Sequence, residues 1–323
     1  MDFYTWDSLQ DAEFPAGNFL IDPYIPRSGI VFLFGPKSLG KTGLQLSWTQ
    51  AIATGEPWLG LPVTKGRVLL VELDQHQSTI QPRLRKVGRR GLDAFWLAGN
   101  PLSVPNLVPK VHEAVKRAAD IARPDVVFFN TLHKLTSLAI DEGQTCRLVY
   151  GWAKEMFPNA ALVFIHHPKK EPPGNVHVDQ DEMFSGSNAW RNDAQIALHL
   201  QRWRQKRGKT LIATARLRMT GSQVCPLYKP LPLLLRDGVH WTSPVVDDLL
   251  ALKDLAENTG LAGNALDREA VRLKMVGSIS TARQRRLALA HFPGTREWLG
   301  MEGGVGEGEG DEGGEATSDE DEG

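Results

Sequence analysis

Two kinds of stretch alternate along the first two thirds of the chain. Short, nearly unbroken apolar runs occur at Ile30–Phe34, at Val68–Leu73 inside Arg67–Asp74, at Val126–Phe129 inside Asp125–Asn130, and at Ala161–Ile165. Runs of this length suit strands of a parallel sheet covered on both faces. Between them, Gln45–Ala53, Ser78–Val87, Val111–Ala122 and Cys146–Phe157 read as helices, with a shorter strand at Ala94–Leu97. This alternation predicts a doubly wound α/β core, in which ligands sit beyond the carboxyl ends of the strands.

From Gln195 the pattern becomes strand, turn, strand: Ile196–Trp203, a basic turn over Gln205–Lys209, then Thr210–Leu217, with further short strands between Ser222 and Trp241. Val245–Asn258, Ala265–Met275 and Thr281–Ala290 have helical spacing. Thr281–Arg286 opens the last of these with three basic residues, as a helix-turn-helix or winged-helix unit would, although a plain packing domain has the same pattern. Residues 1–29 read as a lead-in with a strand or two. From Gly303, glycine alternates with glutamate and offers too little apolar surface to fold. The expected division is a core over 1–243, a small helical unit over 244–300 and a disordered acidic tail over 301–323.

Charge and composition refine this picture. The chain of 323 residues has a net charge of -1, but residues 301–323 hold ten acidic and no basic side chains, leaving 37 basic and 28 acidic, or +9, over residues 1–300. A basic body suits nucleic acid, as it also suits a merely solvated surface. The tail is expected to solubilise or shield the protein, or to bind a replication-protein partner. No run of about 18 apolar residues marks a membrane span, and Met1–Tyr4 lacks a signal-peptide layout. A cytoplasmic location is expected. Cys146 and Cys225 have no metal-ligand spacing and read as reduced structural thiols.

The strongest chemical signal is Gly35-Pro36-Lys37-Ser38-Leu39-Gly40-Lys41-Thr42, followed by Gly43 and set between an apolar run and a helix. It fits G-x-x-x-x-G-K-[ST], the P-loop. Glycine at 35 and 40 lets backbone N–H groups close around phosphates, and the helix start adds its unpaired donors. Lys41 is expected to reach the β- and γ-phosphates of ATP, and the Thr42 hydroxyl to hold Mg²⁺.

Further residues carry a resemblance. Ala53–Gly60, His166-His167-Pro168-Lys169, and Gly186–Ala189 followed by Asp193 join the P-loop in making residues 17–235 resemble the RecA-fold ATPases, and within them the RepA-type plasmid and phage replicative helicases. The resemblance implies a RecA-like core in a ring, usually a hexamer, with ATP between subunits and single-stranded DNA in the central channel. It puts Asp74 at the catalytic-glutamate position, with Glu72 as the alternative; strand alternation turns both to one face, where they can act together or be plain surface carboxylates. The Walker B aspartate position holds Asn130, which can accept a hydrogen bond from metal-bound water but adds no charge. Nucleotide binding is expected to survive while Mg²⁺ affinity and turnover weaken; if hydrolysis is lost altogether, Asn130→Asp is the substitution expected to restore it.

The resemblance also makes His167 a γ-phosphate sensor. The other readings are a structural histidine or, with His166, a metal ligand, although adjacent side chains on a strand point apart. Lys169–Phe184 is either a DNA-contacting loop or an ordinary surface loop. Arg216 and Arg218 match a basic pair that reaches the neighbouring subunit's ATP; a strand-end salt bridge is the competing reading. Arg202, Arg204, Lys206, Arg207 and Lys209, with Trp203 among them, could neutralise phosphates and stack on a base, or form a solvated face. Two function classes follow: an ATP-driven DNA motor in plasmid or phage replication, or an ATP-regulated assembly, loading or recombination-type module with weak or lost hydrolysis.

Overall fold

The computed structural model describes residues 5, 19–88, 91–98, 109–136, 138–139, 143–167, 188–207, 209–225, 227, 230–243 and parts of 251–275. Its strands are β1 (Phe19–Ile21), β2 (Ile25–Pro26), β3 (Gly29–Phe34), β4 (Val68–Glu72), β5 (Ala94–Ala98), β6 (Val126–Asn130), β7 (Ala161–His166), β8 (Ile196–Arg207), β9 (Thr210–Ser222), β10 (Leu231–Arg236) and β11 (His240–Thr242). Its helices are α1 (Lys41–Thr54), α2 (Gln77–Val87), α3 (Pro109–Ala122), α4 (Gly143–Met156), α5 (Ala189–Asn192) and α6 (Gly263–Arg272).

Nine strands form one sheet in the order β11-β10-β9-β8-β3-β7-β6-β4-β5. The six from β8 to β5 run parallel, and β9, β10 and β11 add antiparallel to one edge. The change of pattern after Gln195 therefore marks a continuation of the same sheet. The parallel strands read as unbroken apolar runs because each buries both faces. Val31, Leu33, Val68, Leu70, Val126, Phe128, Val163 and Ile165 face Leu44, Trp48 and Ile52 of α1. Their alternates Ile30, Phe32, Phe34, Leu69, Val71, Val127, Phe129, Leu162 and Phe164 share the other core with Val115 of α3, Cys146, Val149 and Tyr150 of α4, and Trp190 of α5.

α1 is buried on nearly every side, from Leu44 and Gln45 through Trp48 and Ile52, as expected of a helix with no polar face. Gly55, at φ 77, closes it by donating to the Ala51 carbonyl. The Glu56–Gly60 turn then sends Trp58 back onto the helix, where its indole donates to Ser47 at 2.9 Å and meets Trp48 edge-on at 5.6 Å.

Two expectations need correction. The turn over Gln205–Lys209 is shorter, because β8 continues to Arg207 and β9 begins at Thr210. Arg202, Trp203, Arg204 and Lys206 are exposed on a ribbon with register shifts after Arg202 and Gln205; this consecutive exposed run on β8 gives no apolar alternation to read. Second, Asp74 does not share a strand face with Glu72, since β4 ends at Glu72 and the chain bends immediately. The segments 168–187, 276–300 and 301–323, with their expected loop, last helix and tail, lie outside the described residues.

Candidate functional site

Gly35–Gly40 joins β3 to α1 in the centre of the sheet, between β7 and β8. A Cβ on Gly35 would collide with the Leu200 carbonyl oxygen of β8, so only glycine lets the loop leave the sheet here. Ser38 (φ 64) and Gly40 (φ 100) take left-handed backbone angles. Gly40, the N-cap of α1, has no side chain to satisfy the helix's first N–H groups. Those donors, and the positive end of the helix dipole, are left for an anion. The loop's outer wall comes from the end of the core: Leu235 and Trp241 of the β10–β11 hairpin crowd Gly40, and the Gly238 carbonyl approaches Gly43.

Lys41 is only 4 % exposed, and its ammonium donates to the Gly35 and Pro36 carbonyls at 2.5 and 2.9 Å. Burial pulls its pKa down to about 7, against an opposing pull from Asp74. The side chain thus folds back along its own loop, held by neutral oxygens that are weaker partners than phosphate oxygens. The Thr42 hydroxyl accepts a 2.8 Å hydrogen bond from the Gln75 amide, and the Gln75 carbonyl accepts one of 2.8 Å from Arg83 of α2. Sequence reasoning missed Gln75 and Arg83, for which the one available signal was the position of Gln75 next to Asp74.

Glu72 and Asn130 are register partners at the ends of β4 and β6, and both are buried. Glu72 Oε1 accepts the backbone N–H groups of Asp74 and Gln75 at 3.0 Å each, and Oε2 accepts from Asn130 Nδ2 at 2.7 Å. Burial raises the Glu72 pKa while these three hydrogen bonds oppose the rise. The same bonds make the chain turn after β4, which carries Asp74 out to an exposed position. There its carboxylate lies 3.9 Å from Nε2 of His167, which follows β7. His166 points into the core beside Phe32. No group of three or more His, Cys, Asp or Glu side chains among the described residues could hold a metal ion.

Arg216 and Arg218 pair with Gln201 and His199 across the β8–β9 ladder. His199 stacks on Phe34, the last residue before the P-loop, at 4.3 Å between centroids, and shares a 3.0 Å hydrogen bond with Gln201. Gln201 accepts a 2.6 Å bond from Arg216 Nε, and the Arg216 guanidinium lies 4.4 Å from the Trp203 ring centroid. Phe34 belongs to the core opposite α1, so Arg216 and Arg218 stand level with the loop but on the other sheet face.

Elsewhere in the P-loop, Lys37 and Ser38 are exposed, and Pro36 and Leu39 half-buried. Cys146 is a buried thiol with its pKa pushed up to about 12 by burial, and Cys225 is a half-buried free thiol. No helix among the described residues is long and apolar enough to cross a membrane.

The groups present fit a magnesium polyphosphate. Backbone donors and a buried cation suit the anion, while the Thr42 hydroxyl and the Asn130 amide carbonyl are hard oxygen donors of the kind Mg²⁺ takes. A family model described as an AAA domain matches residues 1–173, which include the P-loop, Glu72, Asp74, Asn130 and His167 but not β8 or β9. No curated protein matches the chain.

Proposed function

The chain belongs to the AAA domain family of P-loop ATPases, and from that premise we propose that it is an ATP-driven motor on single-stranded DNA, of the RepA-type ring-helicase kind. The observation that carries the ATPase part is convergence. Lys41 and Thr42 after β3, Glu72 and Asp74 at β4, Asn130 at β6 and His167 after β7 all lie at the carboxyl ends of the parallel strands.

In this reading the polyphosphate takes the α1 N–H groups and draws Lys41 away from its two carbonyls. Thr42 and Asn130 would hold Mg²⁺, which would supply neutralising charge to the phosphates. Asp74, exposed and beside His167, is the general base for the attacking water. His167 holds the Asp74 carboxylate in place and senses the terminal phosphate. Arg216 and Arg218 serve a neighbouring subunit's ATP, a role supported by their sheet face, and the exposed β8–β9 ribbon offers Arg202, Arg204, Lys206 and Trp203 to a DNA strand.

ATPase rates with and without single-stranded DNA, on samples of measured oligomeric state, test the proposal. Stimulated turnover by an oligomer, abolished by Lys41→Ala, is expected; intact turnover in that variant would overturn it. A second reading, a nucleotide-regulated assembly or loading module, is favoured by one observation, the amide of Asn130 in place of a carboxylate. Tight ATP binding with no turnover under any DNA condition would select it.

A further inference from the structure

The amide at position 130 has a carboxylate directly across the β4–β6 ladder, and the two are joined by a 2.7 Å hydrogen bond in a buried setting. We propose that Glu72 and Asn130 are a charge-exchanged pair: the carboxylate that the site needs stands on β4 instead of β6, and Glu72 is the positioning residue that orients Asn130 and the Asp74–Gln75 turn. For its chemistry the inference rests on the ATP-site reading.

The hydrogen bonds support this directly. A carboxylate only accepts, so the group Asn130 turns towards it is Nδ2, which leaves Oδ1 as the acceptor for metal-bound water. The other oxygen of Glu72 takes the N–H groups of Asp74 and Gln75, and the Gln75 side chain continues to the Thr42 hydroxyl. One buried carboxylate therefore links β6, the residue proposed as general base and the P-loop threonine. All three donors to it are neutral, so no positive charge stands among the groups that hold it.

A sharp consequence follows for Asn130→Asp, the substitution expected from the family pattern to restore turnover. It would put two carboxylates within hydrogen-bond distance in a buried position with no added cation, and would break the bond that holds the pair. An acidic group at 130 and Glu72 are alternatives, and Asn130→Asp alone is not a repair.

Four full-length proteins test this: the wild type, Glu72→Gln, Asn130→Asp, and the double variant. Two readouts are needed, the thermal midpoint without nucleotide and the affinity for ATP by calorimetry as Mg²⁺ is varied. Each single substitution should lower the midpoint and weaken the Mg²⁺-dependent gain in ATP affinity on the order of tenfold. The double variant, which restores one carboxylate facing one amide, should recover most of both losses, the signature of a coupled pair. Additive losses in the double variant would overturn the proposal, as would an Asn130→Asp protein as stable as the wild type with tighter Mg-ATP binding. If Asn130→Asp fails to fold, recovery or failure of the double variant still decides. If none of the four binds ATP, the ATP-site reading falls while the thermal midpoints still judge the pair.

Discussion

Asp74 and His167 face each other at 3.9 Å although they follow different strands, β4 and β7, which are separated in the sheet by β6. Their meeting depends on the bend that Glu72 imposes after β4, so the proposed general base is delivered by a turn and not by strand alternation. Asp74→Ala is expected to lower kcat for ATP about 10²-fold, the lower range for losing a positioned base. His167→Ala should lower it about tenfold by freeing the carboxylate. In both variants ATP affinity should change little, and steady-state kinetics paired with equilibrium binding separates the two effects.

Lys41 gives the site a pH signature. Its pKa is about 7 in the folded protein against an ordinary 10.5, so between these limits the unfolded chain holds more proton than the folded one. Stability rises with pH across that window; the Lys41 contribution is complete above 10.5 and lost as the pH falls through 7. Thermal midpoints of the nucleotide-free wild type should therefore climb more steeply from pH 7 to 9 than those of Lys41→Met. Bringing phosphates to the ammonium raises its pKa again, so ATP binding near pH 8 should take up a proton. Calorimetry in buffers of different ionisation enthalpy measures that uptake, which Lys41→Met should lack.

Gly35→Ala should be costly out of proportion to one methyl group. The atom it meets is the Leu200 backbone carbonyl, which no rotamer change can move aside. A loss of about 1–3 kcal/mol is expected from overpacking, with weakened ATP binding as the loop shifts. Chemical denaturation gives the first quantity and nucleotide titration the second.

The exposed ribbon makes a prediction about salt. If Arg202, Arg204 and Lys206 neutralise phosphates, replacing all three with alanine should weaken single-stranded DNA binding. The log–log dependence of that binding on salt should flatten by about 0.7 for each phosphate that is no longer neutralised. Fluorescence anisotropy with a labelled oligonucleotide at several salt concentrations reads both. An unchanged slope would remove the ribbon from the DNA surface. Arg216→Ala tests the separate role in trans: it should reduce turnover of the oligomer and leave ATP affinity nearly unaltered.

Local patterns in the sequence foretell the parallel strands and the P-loop, because burying both faces of a strand and cradling phosphates each demand particular residues at particular spacings. The expected strand Arg67–Asp74 and helix Ser78–Val87 fall within two residues of β4 and α2. Where local logic failed, a distant partner had intervened. The expected alternation of Glu72 and Asp74 broke because hydrogen bonds to Glu72 turn the chain, and Asn130, far away in sequence, helps fix that carboxylate. The link from Arg83 through Gln75 to Thr42 joins three segments with no shared pattern. The length of β8 was hidden for the opposite reason, since the exposed run from Arg202 to Arg204 leaves no periodic mark.

The wall formed by Leu235, Gly238 and Trp241 has a consequence for how the protein is made. Gly40 and Gly43 gain their outer neighbours only from a hairpin some 200 residues later, and β3 gains its second parallel neighbour only when β8 arrives. A chain released from the ribosome at residue 173, the end of the AAA match, would leave β3 as an open sheet edge and its phosphate loop uncovered. Until residues 231–242 have been made, the glycines of that loop lack the apolar neighbours that pack against them from outside in the complete core.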